Sequence, residues 1–129
     1  MVKESTLLAE RLGLTDVLEV QAHSLPYGLQ RRVEVARALA TKPRLLLLDE
    51  PATGMSAEEI AELFDFVAQL RKDFGLTILL VEHTMRVVMT VCPRIVVLNH
   101  GETIAEGTPE QIQSNEEVIA AYLGGGWHA

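Results

Sequence analysis

The chain has a single cysteine, Cys92, among 129 residues, so no internal disulfide can form. A lone thiol followed by Pro93 near a helix end reads as buried filler. No apolar run approaches the ~18 residues that a membrane-spanning helix needs. The first residues, Met1 to Thr6, lack the basic start and apolar stretch of a secretory signal. These absences predict a cytosolic chain whose membrane association, if any, comes through a partner. Basic residues are also scarce: 11 Lys and Arg stand against 18 Asp and Glu, a formal net charge of −7. That balance argues against a nucleic-acid surface, which needs clustered cations. Arg31, Arg32, Arg37, Lys42 and Arg44 form one local basic cluster, read here as a solvated helix face. No Gly-x-x-x-x-Gly-Lys-Ser/Thr loop occurs, and with it is missing the amide cradle and lysine that such a loop offers to phosphates. There is no internal repeat and no low-complexity segment.

What is present is an ordinary globular composition, 48% apolar and 22% charged, enough for one domain with a modest core. The most informative segment is Leu45-Leu46-Leu47-Leu48 running into Asp49-Glu50-Pro51. A run this short and apolar reads as a strand buried on both faces of a parallel sheet. Its two carboxylates then fall at the strand's C-terminal end, where α/β sheets place ligands. Two acids there suit a phosphate–Mg²⁺ site, one holding the metal and the other orienting or deprotonating water. The same four letters, Leu-Leu-Asp-Glu, also arise where a strand leads into an acidic helix start.

Around this segment the pattern alternates between strands and helices. Residues 5–14 form a short amphipathic helix ending near Gly13, and 15–24 a second short helix or loop. A helix from Gly28-Leu29 to Thr41 is stopped by Pro43. Ser56-Ala57-Glu58-Glu59 is a capping box. The helix that follows carries Ile60, Leu63, Phe64, Val67 and Leu70 on one face and closes at Lys72 and Gly75. Thr77–Val81 is a second buried strand, and Met85–Val91 a helix ended by Pro93. Arg94–Asn99 and Glu102–Glu106 are two strands joined at His100-Gly101. Thr108-Pro109-Glu110-Gln111 starts another helix, and a last one, Glu116–Leu123, runs into Gly124-Gly125-Gly126 before a frayed tail. Strand–helix–strand–helix–strand implies a parallel sheet with right-handed crossovers, preceded by an all-helical stretch.

The motifs follow one another in a specific order. Leu25-Pro26-Tyr27-Gly28-Leu29-Gln30-Arg31-Arg32 comes first, with Gly28 lying 21 positions before Asp49. After Asp49-Glu50 come Pro51-Ala52-Thr53-Gly54-Met55-Ser56 and then Glu82-His83, with His83 33 positions past Glu50. This order resembles the ATP-binding subunits of ABC transporters: signature, Walker B with its glutamate, D-loop and H-switch. Tyr27-Gly28, Gln30-Arg31-Arg32 and the tail Glu106-Gly107-Thr108-Pro109 look most like the branched-chain amino-acid uptake ATPases. The likeness covers roughly residues 7–124.

The resemblance implies a P-loop NTPase fold of the ABC-ATPase type, present in part. Residues 1–41 would be the C-terminal part of the helical subdomain. Residues 42–129 would be the C-terminal part of the core from Walker B onward, with its hairpin and last helix. It further implies ATP and Mg²⁺ as ligands. Asp49 would hold the metal, Glu50 would polarise the attacking water, and His83 would contact the γ-phosphate. Without the family a lone histidine after a strand is more often a surface or capping residue. Leu25, Pro26, Tyr27, Gly28 and Leu29 would face a nucleotide bound to a second subunit, and Gly54, Met55 and Ser56 would form the D-loop. The signature departs from Leu-Ser-Gly-Gly-Gln at two places: Pro26 replaces the serine and Leu29 the glutamine. Proline has neither hydroxyl nor N–H to offer a phosphate. Gly28 and the helix start still leave backbone amides able to face an anion. Ser56 stands where the family often has aspartate or asparagine. The P-loop, the adenine-stacking aromatic and the Q-loop glutamine lie upstream of these motifs in the family and do not occur here.

The resulting expectation is the C-terminal portion of an ATP-binding, ATP-hydrolysing subunit of an importer for branched-chain amino acids. It would work with a second ATPase subunit and with membrane permease subunits, on the inner face of the cell membrane, without nucleic acid. Two alternatives stand beside it. One is a non-catalytic half-domain that docks on a full-length ATPase or permease. The other is an ABC-type ATPase of DNA repair, disfavoured by the acidic charge and by the absence of a coiled-coil or zinc insertion.

Overall fold

Alternating helical and strand periodicity becomes two small packed units in the computed structural model, which describes residues 2–123. The units divide between Val81 and Glu82. In the first, α1 (Val2–Arg11) ends where Gly13 adopts φ +66°, a left-handed conformation that costs glycine little. Leu12 and Leu14 then turn into the core. Two single 3₁₀ turns, Thr15–Val17 and Ala22–Ser24, fill the stretch read as a short helix or loop. Helix α2 (Tyr27–Leu39) follows and buries Val35 and Leu39, one turn apart on its inner face.

Strand β1 (Leu45–Asp49) leads through a short loop to α3 (Ala57–Phe74), and β2 (Thr77–Val81) returns. The expected capping box is present: the Ser56 side chain accepts from the Glu59 amide while the Glu59 carboxylate accepts from the Ser56 amide. At the other end Gly75 takes φ +60° as the left-handed cap. Strands β1 and β2 pair in parallel, in register from Leu45 opposite Thr77 to Asp49 opposite Val81. Leu46 packs with Leu12, Leu14, Val35, Leu39, Leu70 and Leu76.

Burial of β1 and β2 on both faces is not what the fold provides. Residues 45, 47, 79 and 81 share one sheet face by the period-two alternation of strands. There Leu45 is 50% exposed, Leu47 63%, Leu79 56% and Val81 52%. The helices cover the Leu46 face, and no described element closes over the other. The sequence is apolar on both faces because it is written for a sheet with two covers.

In the second unit α4 (Met85–Val91) precedes β3 (Ile95–Asn99) and β4 (Glu102–Gly107). The two strands pair antiparallel around His100 (φ +49°) and Gly101 (φ +82°), with a register shift between Val97 and Leu98. Two consecutive positive φ values give a turn whose twist matches the strands it joins. That turn makes β3 a hairpin strand with β4. Among the described residues β1 and β2 form a two-stranded parallel sheet, and β3 and β4 a two-stranded antiparallel one. Thr108 and Gln111 form a second capping box at α5 (Pro109–Gln113), with proline in the first turn. Asn115 caps α6 (Glu116–Val118), which runs on as one π-helical turn, Ile119–Leu123. Ile95, Val97, Ile112 and Val118 are the core of this unit. Cys92 is half-buried beside them, and that burial pushes its thiol pKa up, as the filler reading implies. The glycine run 124–126 and the tail 127–129 lie outside the described residues.

Candidate functional site

A strand that ends in two acids needs a backbone device to stop it, and here the second acid supplies it. Asp49 closes β1, and the Glu50 amide still donates to the Val81 carbonyl at 2.8 Å, adding one rung to the ladder. Glu50 then takes φ +44°, left-handed backbone that a non-glycine residue rarely adopts. The turn breaks the strand alternation and starts a tight loop. The Thr53 amide donates to the Glu50 carbonyl and the Met55 amide to the Ala52 carbonyl, both at 3.2 Å. Pro51 and Ala52 are buried, Gly54 adopts φ +80°, Met55 is half-buried, and exposed Ser56 caps α3. Both carboxylates, Asp49 and Glu50, are exposed at the strand end. Backbone held in a sparsely populated region beside paired acids is a feature of functional sites, where the surrounding structure maintains it.

The segment Leu25–Leu29 reaches this loop directly. Leu25 is buried, Pro26 stands at the N-cap of α2 with no side-chain cap, and the Pro26 carbonyl accepts from the Leu29 and Gln30 amides at 3.0 Å each. Gln30 Nε2 donates to the Leu25 carbonyl at 2.8 Å and ties down the approach. The Tyr27 hydroxyl donates to the Thr53 carbonyl at 3.1 Å. Gly28 has open space where a side chain would be. Leu29 is half-buried and packs against the core, so a polar residue there would lose apolar burial. His83 is exposed, two residues past the end of β2, and belongs to the second unit.

Pro26→Ser should change stability little. A serine N-cap is worth about 0.5–2 kcal/mol, while releasing the fixed proline φ costs about 0.4–1 kcal/mol through the unfolded chain. Thermal melts should place the net effect within about 1 kcal/mol. A much larger loss would mean that the proline ring itself is packed.

Sequence reasoning assigned the basic cluster to a solvated face, and the structure divides it. Arg37, Lys42 and Arg44 are exposed, with Lys42 reaching Glu4 at 3.3 Å. Arg31 and Arg32 are half-buried. Arg32 lies over the Phe66 ring at 4.9 Å. Arg31 lies over the Tyr27 ring at 4.8 Å, donates from Nη2 to the Tyr27 hydroxyl, and donates from Nη1 to Glu34 at 2.6 Å. The hydrogen bond to Glu34 raises its pKa still further above the ordinary guanidinium value, with partial burial opposing. The signal was available: Tyr27, Arg31 and Glu34 are spaced i, i+4 and i+7 on one helix face.

Among the described residues no three His, Cys, Asp or Glu side chains gather to hold a metal. Asp49 offers one exposed carboxylate at a strand end. That donor fits Mg²⁺ arriving with phosphates and retaining its waters, and does not fit a resident all-protein ion site. No helix among the described residues is long and apolar enough to cross a membrane.

Comparison with known proteins agrees on where these elements recur. Residues 2–53 match the ABC transporter family model, and residues 102–128 match the model described as branched-chain amino acid ATP-binding cassette transporter. The chain is 50% identical over 115 residues to the high-affinity branched-chain amino acid transport ATP-binding protein LivG of Escherichia coli (strain K12), covering 89% of this chain and 45% of LivG. It is 48% identical over 115 residues, with the same coverage, to BraF, the high-affinity branched-chain amino acid transport ATP-binding protein of Pseudomonas aeruginosa. A more distant likeness, 38% identity over 117 residues, is to the lipopolysaccharide export system ATP-binding protein LptB of Escherichia coli (strain K12), covering 91% of this chain and 48% of LptB. The fold matches the ADP conformation of MJ1267, an ATP-binding cassette of an ABC transporter, with TM-score 0.87 and 29% identity over 95% of this chain and 50% of that one. The chain thus spans about half the length of the curated relatives it matches. The matched motif region, the identity to transport ATPases along most of this chain and the shared fold are those of the ABC transporter ATP-binding domain.

Proposed function

We propose that the chain is the C-terminal portion of an ATP-binding, ATP-hydrolysing subunit of a branched-chain amino acid importer. The 50% identity to LivG across nearly the whole chain carries this reading. The exposed pair Asp49-Glu50 at the end of a parallel strand supports it chemically. In this reading residues 1–41 are the end of the helical subdomain and 42–129 the core from Walker B onward. ATP with Mg²⁺ is the ligand, and the metal supplies charge neutralisation to the phosphates. Asp49 holds the metal through its water shell. Glu50 accepts a proton from, or orients, the attacking water. His83 fixes the geometry at the terminal phosphate. Leu25 to Leu29 face the nucleotide of a second ATPase subunit, and Gly54, Met55 and Ser56 meet that subunit as the D-loop. Membrane permease subunits hold the assembly at the inner face of the membrane.

The phosphate cradle has to come from a P-loop-bearing segment. Phosphate release with Mg-ATP by the isolated chain should stay at background. Joined to the first half of a LivG-type relative, the chain should gain turnover. If the joined protein folds, binds ATP and still releases no phosphate, the catalytic reading fails. A docking half-domain without catalysis then takes its place.

A further inference from the structure

A side-chain hydrogen bond from α2 to the loop after Glu50 runs through the Tyr27 hydroxyl, and that hydroxyl is itself held by Arg31. We infer that Tyr27 and Arg31 are positioning residues, which hold the loop Pro51–Ser56, and through it the left-handed Glu50, by the Thr53 carbonyl. The functional half of this inference rests on the ATPase reading above. Its structural half does not.

The geometry is a relay of three groups. Glu34 accepts from Arg31 Nη1 at 2.6 Å. Arg31 Nη2 donates to the Tyr27 oxygen, which orients the hydroxyl hydrogen away from the guanidinium. The Tyr27 hydroxyl then donates to the Thr53 carbonyl at 3.1 Å. Arg31 is fixed by more than its bonds. Its guanidinium also lies over the Tyr27 ring at 4.8 Å. Arg31 and Glu34 also line a cavity of about 170 Å³, whose wall includes Leu46, Leu48, Asp49 and Pro51. One side chain therefore borders both the relay and the acid-bearing strand end. The amide of Thr53 closes back on the Glu50 carbonyl at 3.2 Å. Pulling on the Thr53 carbonyl therefore acts, through the Thr53 backbone and one further hydrogen bond, on the residue whose φ is +44°. A fixed acid places its water in one geometry, and a loosened one samples many.

Tyr27→Phe keeps the ring and deletes the hydroxyl. Amide hydrogen exchange in the full chain should accelerate about two- to tenfold at Thr53 and Met55, the equivalent of one lost hydrogen bond. Exchange at Ile60 in α3 and along β1 and β2 should be unchanged. In the chain joined to a P-loop-bearing half, the same substitution should lower kcat about two- to tenfold. Arg31→Lys keeps the charge without the planar fork and should show the same pattern more weakly. Unchanged loop exchange, or acceleration spread evenly over the unit, would overturn the inference. So would faster loop exchange with unaltered kcat in an active assembly. An unsubstituted assembly with no turnover would sink the ATPase reading instead, and the exchange measurement would then decide on its own whether the hydroxyl holds the loop.

Discussion

Glu50→Gln, in the chain joined to a P-loop-bearing half, should slow ATP turnover by about 10²–10⁴-fold, the usual contribution of a positioned acid–base group. ATP-dependent dimer closure should survive, because an amide fills the same space and leaves the nucleotide contacts intact. Asp49→Ala should act earlier in the cycle. It removes the carboxylate that reaches the metal's water shell, a charge-assisted hydrogen bond worth about 1.5–3 kcal/mol, so Mg-ATP engagement should weaken about ten- to hundredfold. The structure makes the separation plausible in physical terms: Asp49 ends the ladder of β1, whereas Glu50 has already left it at φ +44°. Turnover assays with nucleotide-dependent dimerisation measured in parallel distinguish the two. Normal turnover in both variants would refute the assignment of these acids.

The isolated chain should self-associate through the open face of its parallel sheet. Leu45, Leu47, Leu79 and Val81 are each at least half exposed there. Fully burying an aliphatic side chain gains about 1.5–3 kcal/mol, so covering the remaining halves of four gives about 3–6 kcal/mol per chain and about 6–12 kcal/mol for a pair. That is comparable to the cost of bringing two molecules together. The unpaired strand edges of a two-stranded sheet tip the balance, since each offers a free row of amides and carbonyls. Light scattering should therefore show concentration-dependent association at about tens of micromolar, together with a broad, low-temperature melt. Charging the face with Leu47→Lys and Leu79→Lys should restore a monomer. A wild-type chain that stays monomeric and melts sharply at high temperature would count against this.

Local chemistry was the most legible part of the sequence. Both capping boxes, at Ser56 and at Thr108, were visible because their spacing and residue types satisfy specific helix-start amides. Gly75 as a left-handed cap and the hairpin at His100-Gly101 were visible for the same kind of reason. Burial of the strands was misjudged because four consecutive leucines record what a complete sheet needs, and nothing in them says whether both covers are present. At the site, Asp49-Glu50 was read from an apolar strand running into two acids, and the flanking loop from the order of motifs. The Tyr27 hydroxyl bond to Thr53 was missed, since the partners are 26 residues apart and one of them is a backbone carbonyl. Leu29 was read by its place in a motif, whereas its packing against the core is set by the three-dimensional fold.

Phosphate release with Mg-ATP, compared between the isolated chain and the same chain joined to the P-loop-bearing half of a LivG-type relative, is the measurement that bears most directly on the whole account. The expected result is background alone, turnover once joined, and loss of that turnover with Glu50→Gln. Turnover by the isolated chain that disappears with Glu50→Gln would contradict the account, because it would mean that the chain holds phosphates without the cradle its relatives' family name implies.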